Sequence, residues 1–262
     1  MKKVRKSDEG TAKELEAYGQ ANPSQATWEE FKNNAQEAYG KLQKQLFIDQ
    51  RGLCAYCEVD LILTKQNHPR DFQVEHFHPK SDQETNHNWH LDWHNLLAVC
   101  LGGKSVNAEN SVRLGVETLR YTHPDHSCDV KGERNLDGQI LNPLTDINAS
   151  MQIFGYNSYT GEIFVNYTCP ANLQEKATRT IKELRLYANR LNRLRKEASD
   201  AITDEMEQLG KNGISEAEIS KYIVHSHFSE NLLETLPKFF TSIRAFLGAA
   251  AEKRLREINF DA

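Results

Sequence analysis

The 262-residue sequence predicts an α+β fold, in which a small cysteine-rich unit lies between an N-terminal helix and a C-terminal helical region. Three observations support this prediction. An apolar helical pattern precedes Gly52, four cysteines and eight of the ten histidines lie between Gln50 and Lys131, and helical patterns dominate after Pro170. The cysteine-rich segment has only short apolar runs and cannot build a large core of its own, so we expect a bound metal ion to hold it together.

The N-terminal helix is predicted to begin after Thr27. Thr27 and Glu30 have the spacing of a capping box, in which the two side chains bond free backbone N–H groups of the first turn. From Trp28 to Gln50, apolar residues recur every three or four positions and give the helix one apolar face. Gly52 is a suitable stop signal, after which the chain enters the first cysteine pair.

Cys54, Cys57, Cys100 and Cys128 have the pattern of a structural metal site. Two thiolates from one tight Cys-x-x-Cys turn can reach a single ion, and two more from distant points complete a tetrahedral set that suits Zn²⁺. The alternative is that these are ordinary buried thiols, but the histidine-rich sequence between them favours zinc. Cys169 lies outside the pattern and is interpreted as structural.

Glu75 and His76 are the candidates for hydrolytic chemistry. They lie between the two cysteine halves, where His76 could take a proton from water and Glu75 could bind a cation that neutralises charge on a phosphate. Taken alone, the pair would be interpreted as a surface histidine beside a solvated carboxylate. Because cysteines flank the pair, a hydrolytic site is the favoured interpretation instead.

Asn95 and the residues around Cys128 complete the candidate site. An asparagine amide can bond backbone groups and fix the loop that orients the base. Asp129 directly follows the last cysteine and is the expected second ligand of a catalytic Mg²⁺ or Mn²⁺ ion, with His126 as its competitor. His87, His90 and His123 are interpreted as polar loop surface, and the same interpretation is the alternative for His126.

The second half of the chain is predicted to be a β-hairpin followed by helices. Apolar residues on both sides of a turn at Gly161 give the hairpin, over residues 152–167. Ser215 and Glu218 repeat the capping-box spacing, and Pro237 suits the first turn of the last helix. The predicted segments are therefore helical 1–50, metal-bound 51–135, hairpin 136–170 and helical 171–262.

The charge distribution gives a weak indication of phosphate contact. The net charge is −5, but eight basic residues and a single acid occur from Lys176 to Lys196. Such a row can neutralise phosphates without reading sequence, although a solvated amphipathic helix packed on the rest of the chain is about equally consistent. The candidate nucleic-acid contacts are Lys80, Arg179, Lys182, Arg190 and Arg193.

The sequence has no pattern of an export or membrane segment. The charged residues 1–10 are followed by no apolar run, and no apolar stretch approaches the roughly 18 residues that span a bilayer. Five cysteines in a chain of this length do not indicate a disulfide framework. We expect a cytoplasmic protein with no membrane partner.

Together these motifs resemble those of HNH, or ββα-metal, nucleases. The resemblance rests on residues 50–58 (QRGLCAYCE), 74–77 (VEHF), 95–100 (NLLAVC) and the pair Cys128-Asp129. This set is similar to the HNH endonucleases found with retrons and with Septu antiphage systems, the PtuB family. The motifs cover roughly residues 50–131, and residues 141–144 and the hairpin also resemble the family's downstream region.

The resemblance implies a zinc-stapled ββα-metal core and a role for each site residue. In the family the residue at Glu75 binds the catalytic divalent ion, His76 activates water, Asn95 orients the loop, and the residue at Asp129 is the other metal ligand. Two features depart from the general pattern. Cys128 returns only after a long insertion, and Asp129 stands where general HNH enzymes have histidine or asparagine. Aspartate is a good Mg²⁺ ligand, so this change preserves the chemistry.

The predicted function is metal-dependent hydrolysis of nucleic-acid phosphodiester bonds, with DNA favoured over RNA as substrate. The resemblance implies an antiphage effector that acts with a PtuA-like ATPase subunit, contacted by helices outside the metal-bound core. Two alternatives stay open. One is an RNase, for example one that cleaves tRNA, because the same centre can attack either backbone. The other is a zinc-bearing nucleic-acid-binding module without activity, which would not need Glu75, His76 and Asp129 together.

Overall fold

The computed structural model describes residues 1–7, 10–63, 71–82, 87–102, 125–128, 132, 134–229 and 235–260. The described residues before the first strand form three α-helices: α1 (Thr11–Ala21), α2 (Trp28–Asn34) and α3 (Gln36–Asp49). Helix α1 was not predicted, and its buried residues are only Thr11 and Leu15. Two buried positions in eleven are too few to give a clear helical period.

The helix predicted from Trp28 to Gln50 is in fact two helices. The Thr27 side chain accepts a hydrogen bond from the Glu30 backbone at 3.3 Å, which confirms the predicted N-cap. The chain then leaves helical geometry at Ala35 (φ −123°, ψ 52°). A straight helix would separate Trp28 from Tyr39 by about 16 Å. The break brings their ring centroids to 5.6 Å, so aromatic packing explains why the single helix is not formed.

Helix α3 ends as predicted and delivers the chain into the cysteine turn. Gly52 has a positive φ of 72°, and its backbone N–H bonds the Phe47 carbonyl at 2.9 Å. A Cβ atom there would meet the Phe47 ring at 3.2 Å, so both the backbone and the space favour glycine.

Strands β1 (Phe72–His76) and β2 (Leu96–Cys100) form an antiparallel pair. Glu75 lies opposite Leu97 and His76 opposite Leu96, and every residue of β2 is buried. This pair, the helices and a second small sheet give the mixed helix-and-sheet architecture that was predicted. The last helix of the predicted ββα unit would follow Cys100, and residues 103–124 lie outside the described residues.

Gln50 fixes α3 to β2 through its side-chain amide. Its Nε2 donates to the Ala98 carbonyl at 2.7 Å, and its Oε1 accepts from the Ala98 backbone at 2.7 Å. The Gln50 side chain is fully buried. It forms hydrogen bonds with both the backbone N–H and the carbonyl of Ala98, as a residue of a neighbouring strand would.

The second half follows the predicted order. Strands β3 (Phe154–Tyr156) and β4 (Ile163–Val165) form the hairpin, and the described residues after it form four α-helices: α4 (Gln174–Glu183), α5 (Asn189–Lys211), α6 (Glu216–His227) and α7 (Phe240–Glu257). The capping box of Ser215 and Glu218 is confirmed in both directions. The prediction for Pro237 is wrong, because α7 begins only at Phe240. Backbone bonds from Leu236 to Arg51 and from Phe239 to Glu58 hold the preceding residues against the cysteine turn instead.

Two hydrophobic clusters make up the core. The larger extends from the N-terminal residues through both strands of the first sheet to α4 and the first half of α5, and so draws on all four predicted segments. The smaller joins Leu53 to α5, α6 and α7. None of the helices within the described ranges is both long enough and apolar enough to cross a bilayer.

Candidate active site and metal centre

The four predicted cysteines meet in the structure. The sulfur atoms of Cys54, Cys57, Cys100 and Cys128 all lie within 4.8 Å of one another, and all four residues are buried. The sulfurs of Cys57 and Cys100 are 3.6 Å apart. A tetrahedral Zn–S bond of about 2.3 Å separates sulfurs by about 3.8 Å, so the cluster fits a metal ion of that kind. Cys169 is buried elsewhere, as the sequence indicated.

A tight backbone turn presents Cys54 and Cys57, and strand β2 presents Cys100. The Cys54 backbone donates to Val59 and its carbonyl accepts from Glu58, whose φ of 63° closes the turn. The Cys100 backbone donates to the Cys54 sulfur at 3.3 Å. Such a hydrogen bond to sulfur orients a ligand and stabilises its thiolate form. Burial raises the pKa of the Cys54 and Cys128 thiols well above the ordinary value, so a cation is needed to hold them as thiolates.

The fourth thiol is fixed by the residues around it. The Cys128 backbone donates to the Leu184 carbonyl at 2.9 Å, and the Ser127 backbone donates to the Gly102 carbonyl at 3.0 Å. The Asp125 carboxylate accepts backbone bonds from the first two residues of α5, Asn189 and Arg190. The metal centre is therefore attached to both α4 and α5.

Arg190 corrects one prediction from the sequence. Its side chain is only 1 % exposed, and its Nη2 donates to the Ser127 hydroxyl at 2.5 Å. Burial opposes its charge, but the charges of Cys100 and Cys57 outweigh burial and raise the pKa of Arg190. Arg190 is therefore buried against the cysteine cluster, and this position does not fit the predicted contact with substrate phosphate. Arg179, Lys182 and Arg193 of the same row are exposed.

His76 lies at the end of β1 with a defined ring orientation. Its Nε2 is 3.1 Å from the His90 carbonyl oxygen, and its side chain is largely buried. A carbonyl oxygen only accepts, so Nε2 is the donor in this bond and the proton of the neutral ring resides there. The lone pair that could accept a proton is then on Nδ1. The Trp28 ring contacts His76 edge-on, with centroids 4.8 Å apart.

Asn95 binds the loop that follows His76, as the sequence indicated. Its Oδ1 accepts from the His78 backbone at 2.6 Å, and its Nδ2 donates to the His78 and Trp89 carbonyls at 2.9 and 3.0 Å. Its own carbonyl accepts from the Phe77 backbone at 2.8 Å. Three of these bonds satisfy the buried side-chain amide, and together the four join the segment directly after His76 to the loop at Trp89.

Glu75 and His76 line one cleft of about 360 Å³. Helix α2 and the start of α3 form its other wall, which sequence reasoning did not anticipate. These residues are far from β1 in the sequence, and no motif marks them. The cleft is lined by Trp28, Glu29, Lys32, Tyr39, Gln73, Val74, Glu75, His76, Pro79, Lys80 and Gly132.

Besides Glu75, three charged residues line this cleft. The Lys80 Nζ is 3.0 Å from Glu29 Oε1, and the Lys32 Nζ is 3.6 Å from Glu29 Oε2. The hydrogen bond from Lys80 lowers the pKa of the Glu29 carboxyl, which therefore stays ionised near neutral pH. Lys80 was predicted to contact nucleic acid, and the structure adds Lys32 and Glu29 beside it.

The structure leaves the second ligand of a catalytic ion open. Asp129 lies outside the described residues. Its competitor His126 is described and is not among the clustered metal-binding side chains. Within the described residues, the four cysteines are the one group of three or more potential ligands close enough to share an ion.

Two of the other candidate histidines, His87 and His90, have structural partners. His87 is half exposed, and its Nε2 lies 2.8 Å from the Asp92 carboxylate, which agrees with a polar loop surface. His90 departs from that interpretation, because its Nδ1 accepts a hydrogen bond from the Trp28 backbone at 3.1 Å. His123 lies outside the described residues.

Comparison with known proteins identifies the class of enzyme. No protein-family model matches the chain. The chain is 33 % identical over 208 residues to a protein of Escherichia coli, described as the "Retron Ec83 putative HNH endonuclease". The match covers 75 % of this chain and 78 % of that protein. With this similarity over most of both chains, and four cysteines positioned to bind a metal ion, the chain belongs to the family of HNH endonucleases that includes the retron Ec83 protein.

Proposed function

We propose that this enzyme hydrolyses phosphodiester bonds at the cleft lined by Glu75 and His76, with His76 as the general base. The observation that carries the proposal is the position of these two residues. They lie together at the end of β1, partly enclosed by α2, next to a loop held by Asn95. A base and a potential metal ligand on one cleft wall are the minimum that such a reaction requires.

In the proposed reaction, the Nδ1 atom of His76 takes a proton from a water molecule. The water oxygen forms a bond to phosphorus, the bond from phosphorus to the leaving oxygen breaks, and the leaving oxygen takes up a proton from solvent. The Nε2 bond to the His90 carbonyl favours the ring tautomer with its lone pair on Nδ1. Glu75 and Asp129 would hold a Mg²⁺ or Mn²⁺ ion, which neutralises charge on the phosphate and the leaving oxygen when bound.

We further propose that the cysteine cluster holds a structural Zn²⁺ ion with no part in the reaction. All four ligand positions are taken by buried thiols, as in structural sites, whereas a catalytic zinc keeps one position open. Arg190 supports this arrangement, because four thiolates and one divalent cation leave a net negative charge beside it.

Substrate contact is proposed for the exposed basic residues of α4 and α5 and for the cleft lysines. Arg179, Lys182 and Arg193 are exposed, and Lys80 lines the cleft. Lysine and arginine bind the phosphate backbone without reading bases, and this agrees with an effector that cuts nucleic acid broadly. We propose DNA as the preferred substrate.

The biological setting we propose is antiphage defence, with an ATPase subunit that controls cleavage. Support comes from the retron named in the description of the similar E. coli protein and from the motifs shared with the PtuB family. A nuclease without restraint would damage its own cell, so control by a partner is expected of such an effector.

The test is cleavage by purified His76→Ala protein. We expect its rate to fall by about 10²–10⁴-fold, because the reaction loses a positioned base, while zinc content and thermal stability stay unchanged. Plasmid DNA and total RNA are offered with Mg²⁺, with and without the proposed ATPase subunit. His87→Ala is the matched control, since His87 lies on an exposed loop outside the cleft. Near-normal cleavage by His76→Ala would remove His76 from the mechanism.

A further inference from the structure

We infer that Trp28 and His90 are positioning residues, through which helix α2 holds the base His76 in its reactive orientation. The inference rests on the proposed role of His76 and concerns residues that have no part in the HNH motif. The three residues form a closed triangle, because each one contacts the other two.

The first side of the triangle joins His90 to His76. The His90 carbonyl accepts the hydrogen bond from His76 Nε2 at 3.1 Å. This bond determines where the edge of the imidazole lies. It also means that any shift of the His90 backbone is transmitted directly to the base.

The second side joins His90 to α2. The His90 side chain accepts the Trp28 backbone N–H through Nδ1 at 3.1 Å. Trp28 is the first residue of α2, where a backbone N–H has no partner within the helix, and His90 supplies the missing acceptor. The adjacent Asn88 adds a second tie, since its Nδ2 donates to the Ala26 carbonyl at 2.9 Å. The loop that bears the His90 carbonyl is thus attached to the start of α2.

The third side joins Trp28 to His76. The indole meets the imidazole edge-on at 4.8 Å with an interplanar angle of 86°. Trp28 is itself 5 % exposed and packed against Phe31 and Tyr39 at 5.9 and 5.6 Å between centroids. A side chain so enclosed has little freedom, so its contact restricts rotation of the His76 ring.

The consequence is that the orientation of the base depends on a helix 48 residues earlier in the chain. The hydrogen bond sets the position of one ring edge, and the indole limits rotation about the remaining axis. A displacement of about 1 Å at a reacting group can cost on the order of 10²-fold in rate. Loss of the tie between His90 and α2 should therefore slow the chemical step without weakening substrate binding.

The decisive experiment compares His90→Leu with His90→Asn at saturating Mg²⁺. Leucine removes the acceptor for the Trp28 N–H, whereas the Oδ1 atom of asparagine stands at the same place in the side chain as Nδ1 of histidine. The carbonyl that binds His76 is backbone and is present in both variants. We expect kcat of His90→Leu to fall by about 10- to 100-fold with KM and zinc content unchanged, and His90→Asn to recover most of the loss. His87→Leu, the same change on the exposed part of the loop, should behave as wild type.

A kcat of His90→Leu equal to that of the wild type would overturn the inference. A kcat of His90→Asn as low as that of His90→Leu would also overturn it. If His90→Leu loses its zinc, Trp28→Phe is measured in its place. A lower kcat of Trp28→Phe at full zinc content would support the inference, and a normal kcat would refute it. Failure of the proposed function is a different result, namely cleavage by His76→Ala.

Discussion

The Tyr56 hydroxyl is a buried polar group in the cysteine turn. The residue is fully buried, and its oxygen has no hydrogen-bond partner among the described residues. Burial, and then the charge of Glu75, raise the pKa of Tyr56 well above its ordinary value, so the phenol stays neutral. A buried hydroxyl without a partner destabilises a folded protein.

Tyr56→Phe should therefore stabilise the protein. We expect the free energy of unfolding to rise by about 1 kcal/mol, because the substitution removes the unsatisfied hydroxyl and leaves the ring in place. Thermal unfolding of the zinc-loaded protein measures the change, and cleavage should remain normal. A fall in both stability and kcat would show instead that the hydroxyl has a partner in the working enzyme.

We expect Glu29 to compete with substrate for the two cleft lysines, Lys80 and Lys32. Glu29→Gln keeps the shape of the side chain and removes the charge that pairs with Lys80 and Lys32. We expect KM for nucleic acid to fall several-fold and its salt dependence to become steeper, because both lysines are then available to phosphate. Glu37→Gln on α3, which pairs with Lys41 outside the cleft, is the matched control. An unchanged or higher KM for Glu29→Gln contradicts this account.

At the scale of single residues, the sequence identified side chains whose chemistry is distinctive. The four cysteines and Asn95 could be assigned because thiols and a loop asparagine at these spacings have few other uses. Arg190 was misassigned because all arginines of one basic helix look alike until their burial is known. Trp28 and His90 could not be found, since their roles depend on a contact between distant segments.

At the scale of elements, we expect the cysteine turn between α3 and β1 to depend on a bound metal ion. Cys57→Ser should release the zinc and unfold the turn, since the binding free energy of a structural site is also folding free energy. We expect less than one tenth of the wild-type zinc content and new protease cleavage between Gly52 and Leu61. Cys169→Ser serves as the control, because that cysteine is buried away from the cluster. Stoichiometric zinc in Cys57→Ser would contradict the four-thiol site.

Short sequence motifs predicted those helices and strands whose ends are determined by residues close to them in the sequence. The β3–β4 hairpin and the start of α6 follow from a turn glycine and a capping box. The break at Ala35 and the late start of α7 could not be predicted, because each is decided by packing against a distant part of the chain. Trp28 meets Tyr39 in one case, and Phe239 bonds the Glu58 carbonyl in the other.

At the scale of the molecule, the C-terminal helices are part of the nuclease and not an appendage. Leu184, Leu191 and Leu194 belong to the same hydrophobic cluster as the four cysteines. The backbone bond from Cys128 to Leu184 and the Arg190 side chain tie these helices to the metal centre. The division of the chain at residue 171 therefore stays a prediction, with many contacts across it.

A protein ending at Pro170 should consequently fail to fold. We expect it to bind no zinc and to cut no nucleic acid, because the cluster loses one side of its hydrophobic surround and the partner of the Cys128 backbone. Zinc analysis and circular dichroism of the purified fragment give the answer. A fragment that retains zinc and cleaves DNA would show that the helices serve another purpose, such as docking a partner.

The two ends of the long insertion between Cys100 and Cys128 are held together, and this affects how the sequence of the enzyme can vary. Gly102 and Ser127 are joined by a backbone hydrogen bond, and Cys100 and Cys128 on either side belong to one cluster. The two ends of the intervening stretch therefore meet, and the free-energy cost of closing it grows only slowly with its length. We expect changes of length within this stretch to leave Cys100 and Cys128 in place, provided that Asp125, which binds the start of α5, is kept. A flexible insertion after Gly102 that leaves the zinc content unchanged would support this expectation.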